Sequence, residues 1–221
     1  MKKRLLAALV SGAMLMGALA GCGSSTAQTS GGDTAQQDYH IKVILKTLAS
    51  EYWQYVGNGC KKAGEDLGVT VDIIGASSET AYDEQLSMIE TTLSSSDCDA
   101  MVVAPLQAET VATQIAGTDL PIVAIDTAID SDKVLSFVGF NNEELAALGG
   151  NLAGIDAILA GQETMTIAVD GYDVGYLGVQ AAVDALNGKT PEKFIATDAS
   201  VITAENAEER RAEVEKRLGS N

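Results

Sequence analysis

The chain has 221 residues, 46% of them apolar and 20% charged, with 22 glycines and only 3 prolines. That balance suits one globular core and excludes collagen-like, disordered and disulfide-scaffold classes. A net charge of -17 argues against a nucleic-acid groove or an anionic lipid surface as partner, because both need clustered lysine and arginine.

Lys2, Lys3 and Arg4 precede an apolar run over residues 5–20, which reads as an export signal. At about 16 residues the run falls short of the roughly 20 that a spanning helix needs. Leu19-Ala20-Gly21-Cys22 resembles the lipobox of bacterial lipoproteins. The resemblance implies cleavage after Gly21, lipidation of Cys22 and an extracytoplasmic chain held to the cell membrane through its lipid anchor only. A cysteine standing by chance at an ordinary cleavage site is the alternative. Residues 22–39, rich in Gly, Ser, Thr, Gln and Asp, read as a flexible tether. Cys60 and Cys98 fit no redox or zinc spacing and read as two separately packed thiols rather than a bridge.

From there strands and helices alternate. Residues 41–45 are β-branched and apolar, and residues 52–67 carry Val56, Cys60, Ala63 and Leu67 at helical spacing until Gly68 stops them. Strands follow at 69–74, 100–104, 121–125, 134–138, 164–169 and 193–196. Between and after them come helices at 82–93, 110–116, 143–159, 175–186 and 204–218. Near-continuous apolar strands separated by helices predict an α/β fold with a doubly wound parallel sheet covered on both faces. In such sheets ligands bind beyond the carboxyl ends of the strands.

The residues at those ends are the candidates for function. Lys46, Ser50, Tyr52 and Trp53 follow the first strand, Pro105 to Gln107 the third, Asp126 and Thr127 the fourth, and Asn141 and Asn142 the fifth. Adjacent aromatics can stack on the C–H faces of a sugar, and a carboxylate can accept two hydroxyl hydrogen bonds, so the set points to a polyol ligand. Each has a purely structural alternative. The two rings can be buried against the sheet, Asp126 can cap a helix or turn, and Asn141 and Asn142 can form Asx turns.

The runs 47–53 (Thr-Leu-Ala-Ser-Glu-Tyr-Trp), 102–105 (Val-Val-Ala-Pro), 121–126 (Pro-Ile-Val-Ala-Ile-Asp) and 138–142 (Val-Gly-Phe-Asn-Asn) resemble the ribose/galactose-type (type I) periplasmic sugar-binding proteins. By this resemblance Tyr52 and Trp53 stand at the sugar-stacking positions, Asp126 is the hydroxyl acceptor, and Lys46 and Ser50 add polar contacts. Thr127 stands where several members carry an arginine. The partners implied are a small sugar or polyol and the permease subunits of an ABC transporter. Members have two lobes around a cleft, but here the similarity jumps from an early segment to a late one near residues 150–155. The resemblance therefore implies a single, flavodoxin-like lobe lacking most of the second. Its parts are a signal peptide over 1–21, a tether over 22–39, a sugar-binding lobe over 40–203 and a charged helix over 204–221. Half a site predicts weakened, millimolar binding. A sensory lipoprotein presenting sugar to a signalling receptor, and a remnant with no transport role, are the other readings.

Enzyme chemistry finds no foothold. His40 is the one histidine and precedes the first strand, so no Ser-His-Asp set can form. Gly188-Lys189-Thr190 lacks the earlier glycine of a phosphate loop, because position 183 is valine. Gly57-Asn58-Gly59 lacks the third glycine of a dinucleotide loop, because position 62 is lysine. Asp126, Asp130 and Asp132 have no calcium-loop spacing. No cofactor, metal or nucleic-acid partner is expected. The last helix pairs Glu208 with Arg211 and Glu213 with Arg217 and has few apolar positions, which predicts weak docking and low order.

Overall fold

The computed structural model describes residues 38–140 and 152–219. The signal segment, Cys22, most of the tether, Asn141, Asn142 and residues 143–151 of the predicted long helix lie outside the described residues. In chain order the elements are β1 (His40–Leu45), α1 (Glu51–Leu67), β2 (Thr70–Gly75), α2 (Tyr82–Ser94), β3 (Ala100–Val103), α3 (Ala108–Ile115), β4 (Ile122–Ile125) and β5 (Val134–Gly139). They continue with α4 (Leu152–Leu159), β6 (Met165–Val169), α5 (Gly171–Leu186), β7 (Phe194–Ala196), β8 (Ala199–Thr203) and α6 (Ala207–Leu218).

Six strands form one sheet in the order β2-β1-β3-β4-β5-β7, every neighbouring pair parallel. All four residues of β3 and of β4 are buried, as the unbroken apolar runs require when both faces are covered. One face packs Val43, Leu45, Val102 and Val123 with Trp53, Val56, Cys60 and Val179 of α1 and α5. The other packs Ile44, Met101, Val103 and Ala124 with Ile89, Val111 and Ile115 of α2 and α3. These two covered faces make the doubly wound lobe that the resemblance implies.

Helices α1 and α5 touch through their backbones. A Cβ on Gly59 would stand 1.9 Å from the Tyr172 carbonyl oxygen, and one on Gly175 would stand 2.0 Å from that of Val56. Glycine at both places is what allows the approach. The contact fixes the amino-terminal turn of α1, and hence Tyr52 and Trp53, against the start of α5.

The run predicted as a sixth parallel strand behaves differently. β6 pairs antiparallel with β8 in a separate two-stranded sheet. No strand was expected over 199–203, because only Ile202 of that run is buried and the other positions are exposed or half-buried. Ile155, Ile158, Ala168, Ile202, Ala207 and Val214 form a small core there together with Tyr55 of α1. Among the described residues this layer holds two strands.

The expectation of a loosely docked last helix is corrected. Ala207 and Val214 of α6 are buried. Arg210 and Arg217 both donate to Asp170 Oδ2, at 3.3 and 2.8 Å. Arg217 also pairs with Glu213, as its spacing predicts, whereas Arg211 pairs with Glu215 and Asp156. The docking charges sit on the polar face of the helix, where apolar periodicity carries no signal.

Candidate functional site

The carboxyl ends of β1 and β4 lie on either side of β3 and converge on one side-chain circuit. Lys46 directly follows β1, and its ammonium donates to Asp126 Oδ2 and to Thr127 Oγ1, both at 2.8 Å. Thr127 Oγ1 donates in turn to Asp126 Oδ2 at 3.0 Å. Tyr52 OH, from the first turn of α1, donates to Asp126 Oδ1 at 2.8 Å. The Lys46 and Asp126 side chains are 20% and 16% exposed, so the pair sits in a recess rather than on open surface.

Local chain geometry explains the convergence. Asp126 has φ 62, the one non-glycine residue with positive φ among the described residues. Aspartate tolerates this region better than most residues, yet the conformation costs on the order of 1 kcal/mol, and such strain concentrates at functional sites. The Asp126 N–H still bonds the Val138 carbonyl at 2.9 Å, so β4 keeps its register up to the turn. Gln85 of α2 ties neighbouring strand ends together. Its buried amide donates to the carbonyls of Leu45 and Ala104, and its oxygen accepts from Leu106 N at 2.7 Å.

The two rings are placed unequally. Trp53 is 2% exposed and belongs to the core, which corrects the expectation of two rings offered side by side. Tyr52 is half-buried and meets Trp53 edge-on, with centroids 4.9 Å apart. The Lys46 ammonium lies 5.4 Å from the Trp53 ring centroid, a cation–π contact that occupies the indole face. Burial, then the Asp126 carboxylate, holds the Tyr52 phenol far above its usual range, so it stays protonated and a donor. Ser50 precedes α1, and its side chain makes no capping hydrogen bond. Asn141 and Asn142 lie outside the described residues.

Glu79 was not anticipated. It lies in the loop after β2 and accepts the Trp53 Nε1 proton at 2.7 Å. The strand-end rule applied to β2 as well as to the other strands would have flagged this loop. Asp170, just after β6, was missed for the same reason. It caps α5 by accepting from Asp173 N, and it receives Arg210 and Arg217. The Arg217 guanidinium lies 4.7 Å from the Tyr172 ring centroid and donates to Tyr55 OH at 3.2 Å. Both carboxylate oxygens of Asp126 and of Asp170 accept from protein donors. Among the described residues no group of three or more His, Cys, Asp or Glu is placed to hold a metal ion. No helix among them is long and apolar enough to cross a membrane.

Comparison with known proteins follows the same lines. The family described as periplasmic binding protein domain matches residues 41–154, which include Lys46, Tyr52, Trp53, Asp126 and Thr127. The D-allose-binding periplasmic protein of Escherichia coli (strain K12) is 29% identical over 119 residues, spanning 49% of this chain and 38% of that relative. The chain thus matches well under half the length of this curated relative. A periplasmic ribose ABC transporter protein from Conexibacter woesei has a similar fold, with a TM-score of 0.69 at 14% identity, covering 86% of this chain and 100% of the other. A carbohydrate transporter solute binding protein from Agrobacterium radiobacter, solved with D-arabinose, gives a TM-score of 0.66 at 18% identity over 82% and 99% of the two chains.

Proposed function

Because the chain belongs to the periplasmic binding protein domain family, we propose that it binds a small sugar or other polyol at the carboxyl ends of β1 and β4. Lys46, Tyr52 and Asp126 make the polar contacts, with Ser50, Asn141 and Asn142 as further polar candidates and Trp53 as the floor beneath. The observation that carries this reading is the recessed Asp126 carboxylate, presented on a strained left-handed turn at a strand end. A binder of this kind needs no catalytic group and carries out no reaction.

In this reading Cys22 carries the lipid that holds the chain outside the cytoplasm, after removal of residues 1–21. Residues 22–39 give reach, residues 40–203 form the binding lobe and residues 204–221 the charged closing helix. The bound sugar is passed to the permease of an ABC transporter. With the opposing lobe largely missing, the ligand is covered on one side only. Affinity is then millimolar, about -4 kcal/mol. The short match to the D-allose-binding relative, 38% of its length, favours a second reading in which the chain binds but does not support transport.

The test is titration calorimetry with D-allose, D-ribose, D-arabinose and myo-inositol on wild type and Asp126→Ala. Saturable millimolar binding by wild type, lost in the variant, is expected. Absence of binding by every sugar, or equal binding by both proteins, rejects the reading. A transport assay that returns uptake only when a two-lobed relative replaces this chain separates the two readings.

A further inference from the structure

Carboxylate oxygens have two acceptor positions each, about four for the group. At Asp126 the Oδ2 positions are both used, by Lys46 and by Thr127. Oδ1 accepts from Tyr52 OH, which leaves one position of the four. The Tyr52 ring cannot readily swing aside. It packs edge-on to Trp53 and against the start of α5, where a Cβ on Gly171 would come within 2.7 Å of Tyr52 Cε2. The sequence-level expectation that Asp126 accepts two ligand hydroxyls therefore does not fit the geometry.

We propose that the Tyr52 hydroxyl is a built-in substitute for one ligand hydroxyl, so that Asp126 takes a single hydroxyl from a sugar and the site prefers ligands that lack the neighbouring one. This rests on the sugar-binding reading and deepens it, because it names what the site selects. Tyr52 then acts less as a stacking platform than as a specificity-determining donor. Phenylalanine at this position keeps the ring, and with it the contacts to Trp53 and Gly171, while freeing the second acceptor position on Oδ1. A hydroxyl reaching that position gains a charge-assisted hydrogen bond, stronger than a neutral one.

The experiment uses the full chain as wild type and Tyr52→Phe, titrated with D-ribose, D-allose and the single-deoxy analogues of each. In Tyr52→Phe the preference for one parent sugar over one of its deoxy analogues is expected to rise about tenfold, with affinity for that analogue unchanged. An unchanged preference with binding intact overturns the inference and leaves the sugar reading standing. Uniform weakening for parent and analogues alike also overturns it, since that marks a packing role. No binding by either protein removes the sugar reading and the inference together. A scan in wild type alone keeps the idea testable should the variant misfold. Only one deoxy position is expected to cost the roughly tenfold that marks a lost hydrogen bond to a carboxylate, and two neighbouring positions with that cost would overturn the proposal.

Discussion

Replacing Gly175 with alanine tests whether backbone contact between α1 and α5 sets the position of the site. The new Cβ would stand 2.0 Å from the Val56 carbonyl oxygen and 3.0 Å from both the nitrogen and the sulfur of Cys60. Carbon-to-oxygen contacts at helix interfaces close to about 3.3 Å, so the two helices must part by roughly 1 Å. Overpacking costs about 1–3 kcal/mol in ordinary cores and more where backbone rather than a side-chain tip is in the way. Alanine returns up to about 1 kcal/mol through its helix propensity, which leaves a net loss of about 2 kcal/mol. Urea unfolding followed by far-UV circular dichroism reads this as a lower midpoint at unchanged slope. Gly117→Ala is the control, because a Cβ there meets nothing within 4 Å. It is expected to lie within about 0.5 kcal/mol of wild type. A Gly175→Ala midpoint equal to that of wild type would refute the claim that these helices touch through their backbones.

Other outcomes follow from single features of the structure. Asp170→Asn weakens two arginine hydrogen bonds in a mostly buried cluster and should cost about 1–3 kcal/mol, less than a fully buried pair. Hydrogen exchange should then speed up over α6 while β3 and β4 stay protected, and uniform change across the sheet would contradict the assignment. Trp53, the one tryptophan, should resist iodide quenching in the native state, and quenching as strong as in the urea-unfolded chain would contradict its burial. Burial pushes the Cys60 thiol from an ordinary 9.0 up to about 12. On raising the pH the unfolded chain therefore loses this proton first, so Cys60 subtracts stability between those two values and has no effect below them. The urea midpoint should fall more steeply with alkaline pH in wild type than in Cys60→Ala; equal slopes would remove the thiol as the cause.

The six strands of the main sheet were legible because each is a short apolar run flanked by turn residues or helical periodicity, and 122–125 and 100–103 are buried throughout. The strand 199–203 was not, since pairing with a single neighbour leaves most of its side chains exposed and removes the alternation that marks a strand. At the site, the rule that ligands gather at strand ends selected Lys46, Tyr52 and Asp126, which the structure brings into hydrogen-bond contact. It could not tell which of two adjacent rings faces inward. On a helix, neighbouring residues point about 100° apart, so Tyr52 and Trp53 cannot share one face, and the tertiary contact with Glu79 accompanies the burial of Trp53. Nor could it show that Asp126 is already saturated on one oxygen, because that depends on Lys46, 80 residues earlier in the chain, and on the side chain of the next residue.

That saturation has an energetic meaning for a lobe without its counterpart. A recessed carboxylate facing a recessed ammonium is costly when either stands alone, and leaving a buried polar group unpaired costs about 1–3 kcal/mol. In a two-jawed binder the ligand and the opposing jaw can supply the missing partners. Here Lys46, Thr127 and Tyr52 supply them from the same lobe, so the site is stable without a guest. Under the proposed function the same arrangement limits affinity, because an arriving hydroxyl finds one open position on Asp126 rather than several. In the proposed sugar-binding reading, stability of the empty lobe and weak binding are thus two consequences of one hydrogen-bond circuit, and a substitution that opens the circuit at Tyr52 should tighten binding while lowering the stability of the unliganded chain.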